Sequence, residues 1–422
     1  MREMKDSGVE WIGEIPSDWK INRGKYIFEC LQKPIRPTDD VITCFRDGEV
    51  TLRSNRREDG YTFSEKEIGY QGVDIGYLVI HGMDGFAGAI GISDSRGKAS
   101  PVLNVLGTIQ NKRYYMYYLR AMAFTEVFTA TATGIRVRSC DLRWNKLAEF
   151  PYPVPPIYEQ KRVSSFLDTK CAEIDSISED IRKEIETLQE YRKSVITEAV
   201  TKGLDPNVEM KDSGVEWIGM IPNSWELEKG KYVFIQKNER GNTICLQLLS
   251  PTQKYGVIPQ DKYEELSGMK AVKLNEKVDL SELKTVHKGA FCISLRSFQG
   301  GFEYSDYEGV VSPAYQIFYP TRNICDDYYR YLFKTQGFIQ EMNSFTMSLR
   351  DGKNIAFEDF GNSLIPVPPL SIQNDIATFL NTKCSEIDSI IADKQKQLDV
   401  LAEYRKSLIY EYVTGKKEVP TK

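Results

Sequence analysis

Three closely spaced arginines are the residues best suited to recognise a ligand. Arg53, Arg56 and Arg57 lie in the segment TLRSNRREDGYTF, which also contains Tyr61 and Phe63. An arginine guanidinium can donate hydrogen bonds to a guanine edge or to a phosphate, so the segment is a candidate for contacting nucleic acid. A solvated basic loop would have the same composition, and the segment alone does not decide between the two.

Other polar and basic side chains fall where loops are expected. His81, Met83 and Asp84 occur in VIHGMDGFAG, beyond a predicted strand. Each of them could equally be an ordinary surface residue, so their role in nucleic-acid binding is a hypothesis. The same holds for six further candidates elsewhere in the chain. They are Arg136, Arg138, Lys254, Arg296, Arg350 and Lys353.

The motifs of the common catalytic classes are missing from the sequence. An adenine methyltransferase needs an (N/D/S)PP(Y/F) loop, whereas the paired prolines here read VPPI and VPPL. GFAGAIG at 85–91 lacks the strand-to-helix context of a nucleotide-binding turn, and P-loop, serine-nucleophile and cysteine-nucleophile motifs are absent. The two histidines, His81 and His287, have no cysteine or acidic cluster at metal-ligand spacing. We therefore predict no catalytic residue and no metal site, and a chain that is not an enzyme by itself.

The charge of the chain is unevenly distributed. The net charge is −5, yet residues 21–150 hold 18 Lys and Arg against 15 Asp and Glu, and residues 227–363 hold 17 of each kind. The acidity therefore lies outside these two regions, a pattern that permits DNA binding without demonstrating it. The eight cysteines include no CxxC pair and favour reduced thiols over disulfides or a zinc site.

Two internal repeats organise the chain. Residues 153–203 and 366–416 align without a gap and share PVPP, TKC-x-EIDSI and EYRKS, each residue lying 213 positions from its match. MKDSGVEWIG at 4–13 recurs at 210–219, followed both times by x-IP-x-x-W and GKY-x-F. The plan is a head segment, a variable region and a helical repeat, twice over. We expect the tryptophans of the heads to be packing anchors, and Cys171 and Cys384 to pack as small apolar residues.

Each variable region predicts a mixed α/β globule of ordinary domain size. In the first, residues 21–150, short apolar runs alternate with Gly-rich and Asp-rich turns before a helical pattern at 112–128. The second follows the same order and reaches its helical pattern at 326–342. The fold is therefore expected to recur in both halves although the sequence does not. The predicted domain bounds are 1–152, 153–203, 204–365 and 366–422.

The helical repeats predict two long helices. Prolines prevent helix before residues 157 and 370, and beyond them apolar residues recur at three-and-four spacing. The end of the first helix and the start of the second are both tethered to the second globule, which favours an antiparallel coiled coil. The predicted fold is thus α+β, with two mixed α/β domains joined by two long helices and related by a pseudo-two-fold internal repeat. The predicted seam residues are Ile174, Ile177, Ile181, Leu188, Tyr191 and Val195, matched by Ile387, Ile390, Leu401, Tyr404 and Leu408.

Length and hydropathy add two expectations. Residues 174–200 would span ~40 Å as a helix, close to the ~34–36 Å of one DNA turn, although coiled coils of this length also occur in proteins that never contact DNA. No apolar run is long enough to cross a bilayer, and the first residues lack the apolar core of a signal peptide. We therefore expect a cytoplasmic protein that does not contact a membrane.

The whole arrangement resembles the specificity subunit of a type I restriction-modification system. The resemblance rests on the twice-repeated order of E-W-I-G-x-I-P-x-x-W, PVPP, FLD/FLN-TK-C-x-EIDSI and EYRKS, and it covers essentially the whole chain. It implies two target-recognition domains, each reading one half of a bipartite site in double-stranded DNA. It also implies two methyltransferase subunits that bring S-adenosylmethionine, and two restriction and translocase subunits that use ATP and Mg²⁺. No cofactor is then expected in this chain.

The resemblance also implies that the helices set the spacer of the DNA site and dock the methyltransferase subunits. Surface ion pairs along a helix would explain the same charges equally well. The candidate docking residues are Glu173, Asp175, Glu190, Tyr191, Arg192, Glu386, Asp388, Glu403, Tyr404 and Arg405.

Two other functions remain open from the sequence. The chain could be a structural adaptor that joins two protein partners through its globules and makes no DNA contact. A fused single-chain methyltransferase or nuclease is the third possibility, which the missing motifs disfavour.

Overall fold

The computed structural model describes residues 2–56, 68–130, 142–240, 247–270, 282–293, 301–345 and 355–420. The chain divides into two compact units. The first contains residues 1–182 together with 395–422, and the second contains residues 183–394. Each unit therefore takes part of both long helices, and the domain bounds predicted along the sequence remain predictions.

The first unit contains one main sheet of four strands in the order β4-β11-β8-β9, flanked by the two-stranded pairs β1-β2, β3-β12, β5-β6 and β7-β10. Its helices are α1 (Lys112–Phe124), α2 (Val127–Ala130) and α3 (Trp144–Leu147). Its strands are β1 (Met4–Asp6), β2 (Glu14–Pro16), β3 (Lys20–Arg23), β4 (Glu29–Cys30), β5 (Ile42–Cys44), β6 (Val50–Leu52), β7 (Gln71–Val73), β8 (Leu78–His81), β9 (Ile90–Ile92), β10 (Gly97–Ala99), β11 (Leu103–Gly107) and β12 (Pro151–Val154).

Two helices are far longer than the rest. They are α4 (Ile157–Lys202) of 46 residues and α10 (Leu370–Val413) of 44 residues. Both begin directly after the paired prolines, as predicted, because a proline disfavours helical geometry in the residue before it but is tolerated in the first turn.

The second unit has a six-stranded sheet in the order β16-β23-β20-β21-β18-β17, with the pairs β13-β14, β15-β24 and β19-β22. Its helices are α5 (Gly230–Val233), α6 (Gln260–Ser267), α7 (Asp326–Leu332), α8 (Gln336–Ser344) and α9 (Phe357–Asn362). Its strands are β13 (Met210–Asp212), β14 (Met220–Pro222), β15 (Glu226–Lys229), β16 (Phe234–Lys237), β17 (Leu249–Thr252), β18 (Gly256–Pro259), β19 (Lys284–Val286), β20 (Ala290–Ile293), β21 (Phe302–Ser305), β22 (Gly309–Val311), β23 (Gln316–Pro320) and β24 (Leu364–Val367).

The globule in each unit is joined to the end of the long helix that belongs to the other repeat. In the first unit the hydroxyl of Tyr114, on α1, donates to the carbonyl of Val413 at 2.7 Å. In the second unit the hydroxyl of Tyr328, on α7, donates to the carbonyl of Val200 at 2.8 Å. All four residues are buried. The tethering inferred from the sequence is therefore confirmed within each unit.

The long helices run antiparallel within both units. In the first unit the Phe166 and Tyr412 rings lie 4.6 Å apart, and Asp175 pairs with Arg405 at 3.3 Å, so one residue number rises as the other falls. In the second unit Glu184 pairs with Lys394, and Arg192 with Asp388 at 3.0 Å. The predicted antiparallel pairing of the long helices is confirmed within each unit.

The phase of the predicted seam is partly wrong. Ile177, Ile390, Tyr191 and Tyr404 are between 45% and 54% exposed. The covered stripe passes one residue later at each of these places, because a stripe of period 3.5 that includes Ile174 and Ile181 can continue through residue 178 as well as 177. The covered positions are 174, 178, 181, 185, 188, 192 and 195, matched by 387, 391, 394, 398, 401, 405 and 408.

Candidate nucleic-acid interface

The hairpin of β5 and β6 presents the arginines of the first globule. Cys44 faces Val50 across the hairpin, and the loop between them is closed by hydrogen bonds from Phe45 N to Glu49 O at 2.8 Å and from Gly48 N to Phe45 O at 2.9 Å. Gly48 has a φ of +87°, which disfavours any residue with a side chain. The sequence C-F-R-D-G-E-V therefore folds as a tight turn that fixes the positions of its charged side chains.

Arg56 lies against this loop rather than projecting from it. Its Nη1 is 2.7 Å from an Asp47 oxygen and 2.9 Å from a Glu49 oxygen, and its guanidinium lies 4.2 Å from the centre of the Phe45 ring. The hydrogen bond to Asp47 raises the pKa of Arg56 above its ordinary value. Arg53, which begins the short helical turn after β6, donates from Nε to Thr43 Oγ1 at 3.3 Å. Both side chains are thus held by the hairpin.

The turn after β8 carries the second predicted group. The Nδ1 atom of His81 accepts hydrogen bonds from the backbone N–H of Asp84 at 3.0 Å and of Met83 at 3.3 Å. Burial lowers the pKa of His81 below its ordinary value. Met83 is half exposed. The turn therefore presents an acid and a thioether on a backbone that the imidazole fixes.

One loop joins the two predicted groups. Arg46 donates to Asp84 at 2.8 Å, and its neighbour Asp47 holds Arg56. A Cβ added to Gly88, whose φ is +97°, would lie 2.7 Å from the carbonyl oxygen of Arg46, so the loop approaches this turn closely. The structure thus brings Arg56, His81 and Asp84 onto one surface. Arg46 was not predicted from the sequence, although its position in an R-D-G turn between two short apolar runs was a usable signal.

The second globule contributes Lys254 at the wall of a cleft. The Lys254 Nζ lies 5.0 Å from the centre of the Tyr255 ring, in the turn between β17 and β18. The cleft has a volume of about 600 Å³. Its other charged lining residues are Arg192, Glu303, Asp327, Arg330 and Lys334. Cations outnumber acids on these walls, so the cleft suits an anionic or strongly polar ligand.

The remaining predicted contacts lie outside the described residues. They are Arg57, Arg136, Arg138, Arg296, Arg350 and Lys353.

The charged docking candidates on the helices already have partners within their own unit. Asp175 and Arg405 form one ion pair between the helices, and Asp388 and Arg192 form its counterpart. The four glutamates pair with a lysine three residues away on the same helix. These pairs are Glu173 with Lys170, Glu190 with Lys193, Glu386 with Lys383, and Glu403 with Lys406.

The two tyrosine candidates differ from the charged ones because they are exposed apolar surface. In the first unit Tyr404 and Ile177 each lie within two residues of the Asp175–Arg405 pair. In the second unit Tyr191 and Ile390 stand in the same relation to Arg192 and Asp388. Beside the interhelical ion pair of each unit there are therefore one exposed isoleucine and one exposed tyrosine, on different helices. We call these the Ile-Tyr patches.

Comparison with known proteins points to a single family. A model of the type I restriction modification DNA specificity domain matches residues 219–399. The MjaX protein of Methanocaldococcus jannaschii, assigned as a type I restriction enzyme specificity subunit, is 24% identical over 97% of this chain and 96% of its own length. The MjaVIII specificity subunit from the same organism is 24% identical over 63% of this chain and 61% of its own length.

The chain is similar to the type I restriction-modification specificity subunits over nearly its whole length.

Solved structures agree with this specificity-subunit fold. A chain from a study of complex assembly and conformational transition of the type I R-M system has a TM-score of 0.70 at 12% identity, covering 96% of this chain and 99% of that one. The HsdS subunit from Thermoanaerobacter tengcongensis has a TM-score of 0.53 at 13% identity, covering 96% and 98%. The predicted family resemblance and the predicted α+β architecture are confirmed.

Two matched pairs of polar residues were not predicted from the sequence, because each member is a single residue within its helical repeat. Gln160 and Gln373 occupy matching positions and are almost fully buried. Asp168 and Asn381 also match, and each accepts a hydrogen bond at 2.8 Å from a globule tyrosine, Tyr117 or Tyr331 in turn. The sequence did offer a signal for the first pair, because Gln160 and Gln373 are identical in the two repeats while the residues beside them differ.

Metal and membrane features can be stated only for the part of the chain that the structure describes. Within it, no three His, Cys, Asp or Glu side chains come together as metal ligands. No helix there has the length and apolar character needed to cross a membrane.

The stability of the second unit is expected to depend on pH through Glu303. This carboxyl is 2% exposed, and burial raises its pKa to about 7 although Lys334 Nζ donates to it at 2.6 Å. The folded state keeps a proton on Glu303 that the unfolded chain loses above the ordinary pKa of 4.5. The contribution of Glu303 to the free energy of unfolding should therefore be full below pH 4.5 and should fall as the pH rises to about 7. Urea unfolding of the Glu303→Gln variant should lack this fall, whereas an unchanged pH profile would contradict the assignment.

Proposed function

We propose that this chain is the specificity subunit of a type I restriction-modification system and reads a bipartite site in double-stranded DNA, one half with each globule. The observation that carries the proposal is the duplicated construction. In each unit one globule is attached to the start of one long helix and hydrogen-bonded to the end of the other, through Tyr114 or Tyr328. A chain with two globules fixed in the same manner is suited to recognising two separate sequences.

The arginine surface of the first globule supports direct contact with DNA. Arg46, Arg53 and Arg56 stand together with Asp47, Glu49 and Asp84, which hold two of the three guanidinium groups in place. These carboxylates would repel phosphates unless the arginines turn towards the DNA. An arginine that exchanges an acidic partner for a guanine edge keeps its hydrogen bonds, and other base edges would leave them incomplete. Such an exchange would discriminate between sequences.

We expect Arg56→Ala to weaken binding to one half-site only. A lost guanine contact should cost about 1–3 kcal/mol of binding free energy and relax specificity at that base, and Arg53→Ala should act in the same half-site. Gel-shift titration against DNA with either half-site altered would measure this. Arg23→Ala, which removes an exposed arginine paired with Glu149, is the matched control. Equal loss on every sequence would identify Arg53 and Arg56 as phosphate contacts instead.

The long helices set the spacer between the half-sites in this proposal. As α-helices of 46 and 44 residues, α4 and α10 are ~69 and ~66 Å long, which exceeds one turn of DNA. The interhelical ion pairs Asp175–Arg405 and Arg192–Asp388 would fix their register. A fixed register would translate into a fixed number of base pairs.

The partners and cofactors follow from the same proposal. Two methyltransferase subunits would dock on the Ile-Tyr patches and bring S-adenosylmethionine, because exposed apolar side chains that recur in both units suit two copies of one protein. Two restriction and translocase subunits would bring ATP and Mg²⁺ chemistry. This chain would then act in the cytoplasm as the DNA-reading component and would hold no cofactor itself.

A gel-shift titration of the chain mixed with its methyltransferase subunit tests the proposal as a whole. We expect a sequence-specific complex at moderate salt, on DNA that contains both half-sites at the correct spacing. DNA with one half-site scrambled should bind much more weakly. Absence of any sequence-specific complex would favour the structural adaptor, which joins protein partners without contacting DNA.

A further inference from the structure

The heads share eleven identical residues at 3–13 and 209–219, yet several exposed positions that follow this run differ. The difference matters because it shows that exposed residues of this segment can change while the fold is kept. An exposed residue that is identical in both heads therefore needs a reason other than the fold. The differing exposed pairs are Glu14 with Met220, Asp18 with Ser224, and Lys20 with Glu226.

Turn geometry accounts for four of the identical residues. Gly8 and Gly13 have φ values of +71° and +67°, which favour glycine. The Asp6 carboxylate accepts from Gly8 N at 3.0 Å, and the Ser7 hydroxyl oxygen accepts from Val9 N at 3.1 Å. The second head repeats these two bonds at 2.9 and 3.1 Å. Replacing any of the four would disturb the turn.

Packing and strand pairing account for five more. Met4 pairs with Pro16 in the β1–β2 hairpin, and Lys5 Nζ donates to Ser17 O at 2.7 Å. Ile12 is buried, while Val9 and Trp11 pack against the core that contains it. The second head has the same arrangement around Ile218. Nine residues of the run therefore have a structural role, and in a tenth pair, Glu3 and Glu209, the second carboxylate accepts from Asn223 Nδ2 at 3.0 Å.

Glu10 and its copy Glu216 are the exception. Both are exposed, and neither forms a hydrogen bond or ion pair with any residue in the described part of the chain. In the second unit the negative charge of Glu216 adds to burial in raising the pKa of Glu341, so two like charges lie near each other there. A basic group from outside would relieve this repulsion. A phosphate would increase it, which disfavours DNA at this position.

The heads lie where a protein on the Ile-Tyr patches would reach them. Ile12 and Trp19 share a core with Leu408 and Val413, at the end of α10. Tyr404 lies only four residues before Leu408, which is ~6 Å along the helix. The second head shares its core with Ile196 and Val200, and Tyr191 precedes Ile196 by five residues. The same protein surface can therefore cover a patch and a head.

We propose that Glu10 and Glu216 each bind a basic side chain of one methyltransferase subunit, so that two copies of that subunit dock through the same head contact. This inference rests on the proposed function and adds to it a second contact region, separate from the helices. Two identical acidic contacts in one chain explain why the partner would bind as two equal copies.

The test uses the full-length chain and the purified methyltransferase subunit of the same system. The variants are Glu10→Lys, Glu216→Lys and the double variant. Glu14→Lys and Glu226→Lys make the same charge change at exposed positions just beyond the identical stretch. Native mass spectrometry would count the bound copies, titration calorimetry would give the dissociation constants, and thermal melting would check that every variant is folded.

We expect each single variant to weaken one of the two binding events at least about ten-fold, and the double variant to weaken both. The reason is that the substituted lysine would face the basic side chain of the methyltransferase subunit, so that an attraction between opposite charges becomes a repulsion between like charges. The two controls should bind as the unaltered chain does. Head variants that bind two copies with the affinity of the controls would overturn the inference while leaving the proposed function intact. An unaltered chain that binds no methyltransferase subunit would contradict the proposed function itself, and the inference with it.

Discussion

Adding four residues to both long helices at facing positions is expected to abolish binding to the natural DNA site and to create binding to a site with a longer spacer. Insertion next to Glu184 in α4 and next to Lys394 in α10 keeps these facing residues between the ion pairs Asp175–Arg405 and Arg192–Asp388. Four residues add ~6 Å of helix, which corresponds to one or two base pairs at ~3.4 Å each. The half-sites themselves should not change, because no globule residue is altered.

The measurement is a gel-shift panel of DNA duplexes that differ only in spacer length. The natural spacer should lose at least about 100-fold in affinity, and one duplex longer by one or two base pairs should recover it, since only one globule at a time can bind a site of the wrong length. Replacing four residues at the same places, without adding any, is the control for disturbance of the coiled coil. If the lengthened chain still preferred the natural spacer, the helices would not set the spacer length.

The large features of this fold follow from repetition in the sequence. A matched offset of 213 residues identified two corresponding long helices, and the proline pairs located their first residues at 157 and 370. Tethering then predicted the antiparallel arrangement. The tryptophans of the heads were expected to pack, and Trp19 and Trp225 are indeed buried. Such features depend on chain connectivity and on backbone chemistry, and both can be inferred from a single sequence.

The phase of the coiled coil could not be obtained in this way. Ile177 and Tyr191 satisfy three-and-four spacing as well as residues 178 and 192 do, and they are more apolar than Ser178 and Arg192. Only the position of the facing helix decides between the two stripes. Arg192 can lie within the covered stripe because Asp388 on that helix neutralises it. Information of this kind is held by the pair of helices and not by either sequence alone.

The candidate DNA surface likewise could not be predicted in full from the sequence. Arg56 and Asp84 were identified from local composition, but nothing local indicated that one loop joins them. The contact between Arg46 and Asp84 spans 38 residues of sequence, and it exists because the β5–β6 hairpin packs against the turn after β8. Long-range proximity of short strands depends on sheet packing, for which a single sequence carries little signal. Which of these residues contacts a base remains a prediction.

Leucine in place of Gln160 or Gln373 is expected to destabilise the corresponding unit by about 2–4 kcal/mol, since each change leaves buried backbone groups without partners. Gln160 is fully buried, donates to Pro155 O at 2.8 Å and accepts from Asn111 N at 3.0 Å. Gln373 donates to Pro368 O at 2.8 Å and accepts from Cys325 N at 2.9 Å. Each glutamine thus joins a proline connector to the N-terminal cap of the globule helix.

Urea unfolding of the single and double variants would measure these losses, with Lys161→Leu and Asn374→Leu as controls at the exposed residues that follow each glutamine. The controls should change the free energy of unfolding by no more than about 0.5 kcal/mol. Because the two glutamines belong to different compact units, their effects should add. If neither glutamine variant were less stable than its control, the connectors would be held by the prolines alone. A destabilised variant that still bound DNA with natural specificity would separate the stability of this joint from its role in orienting the globule.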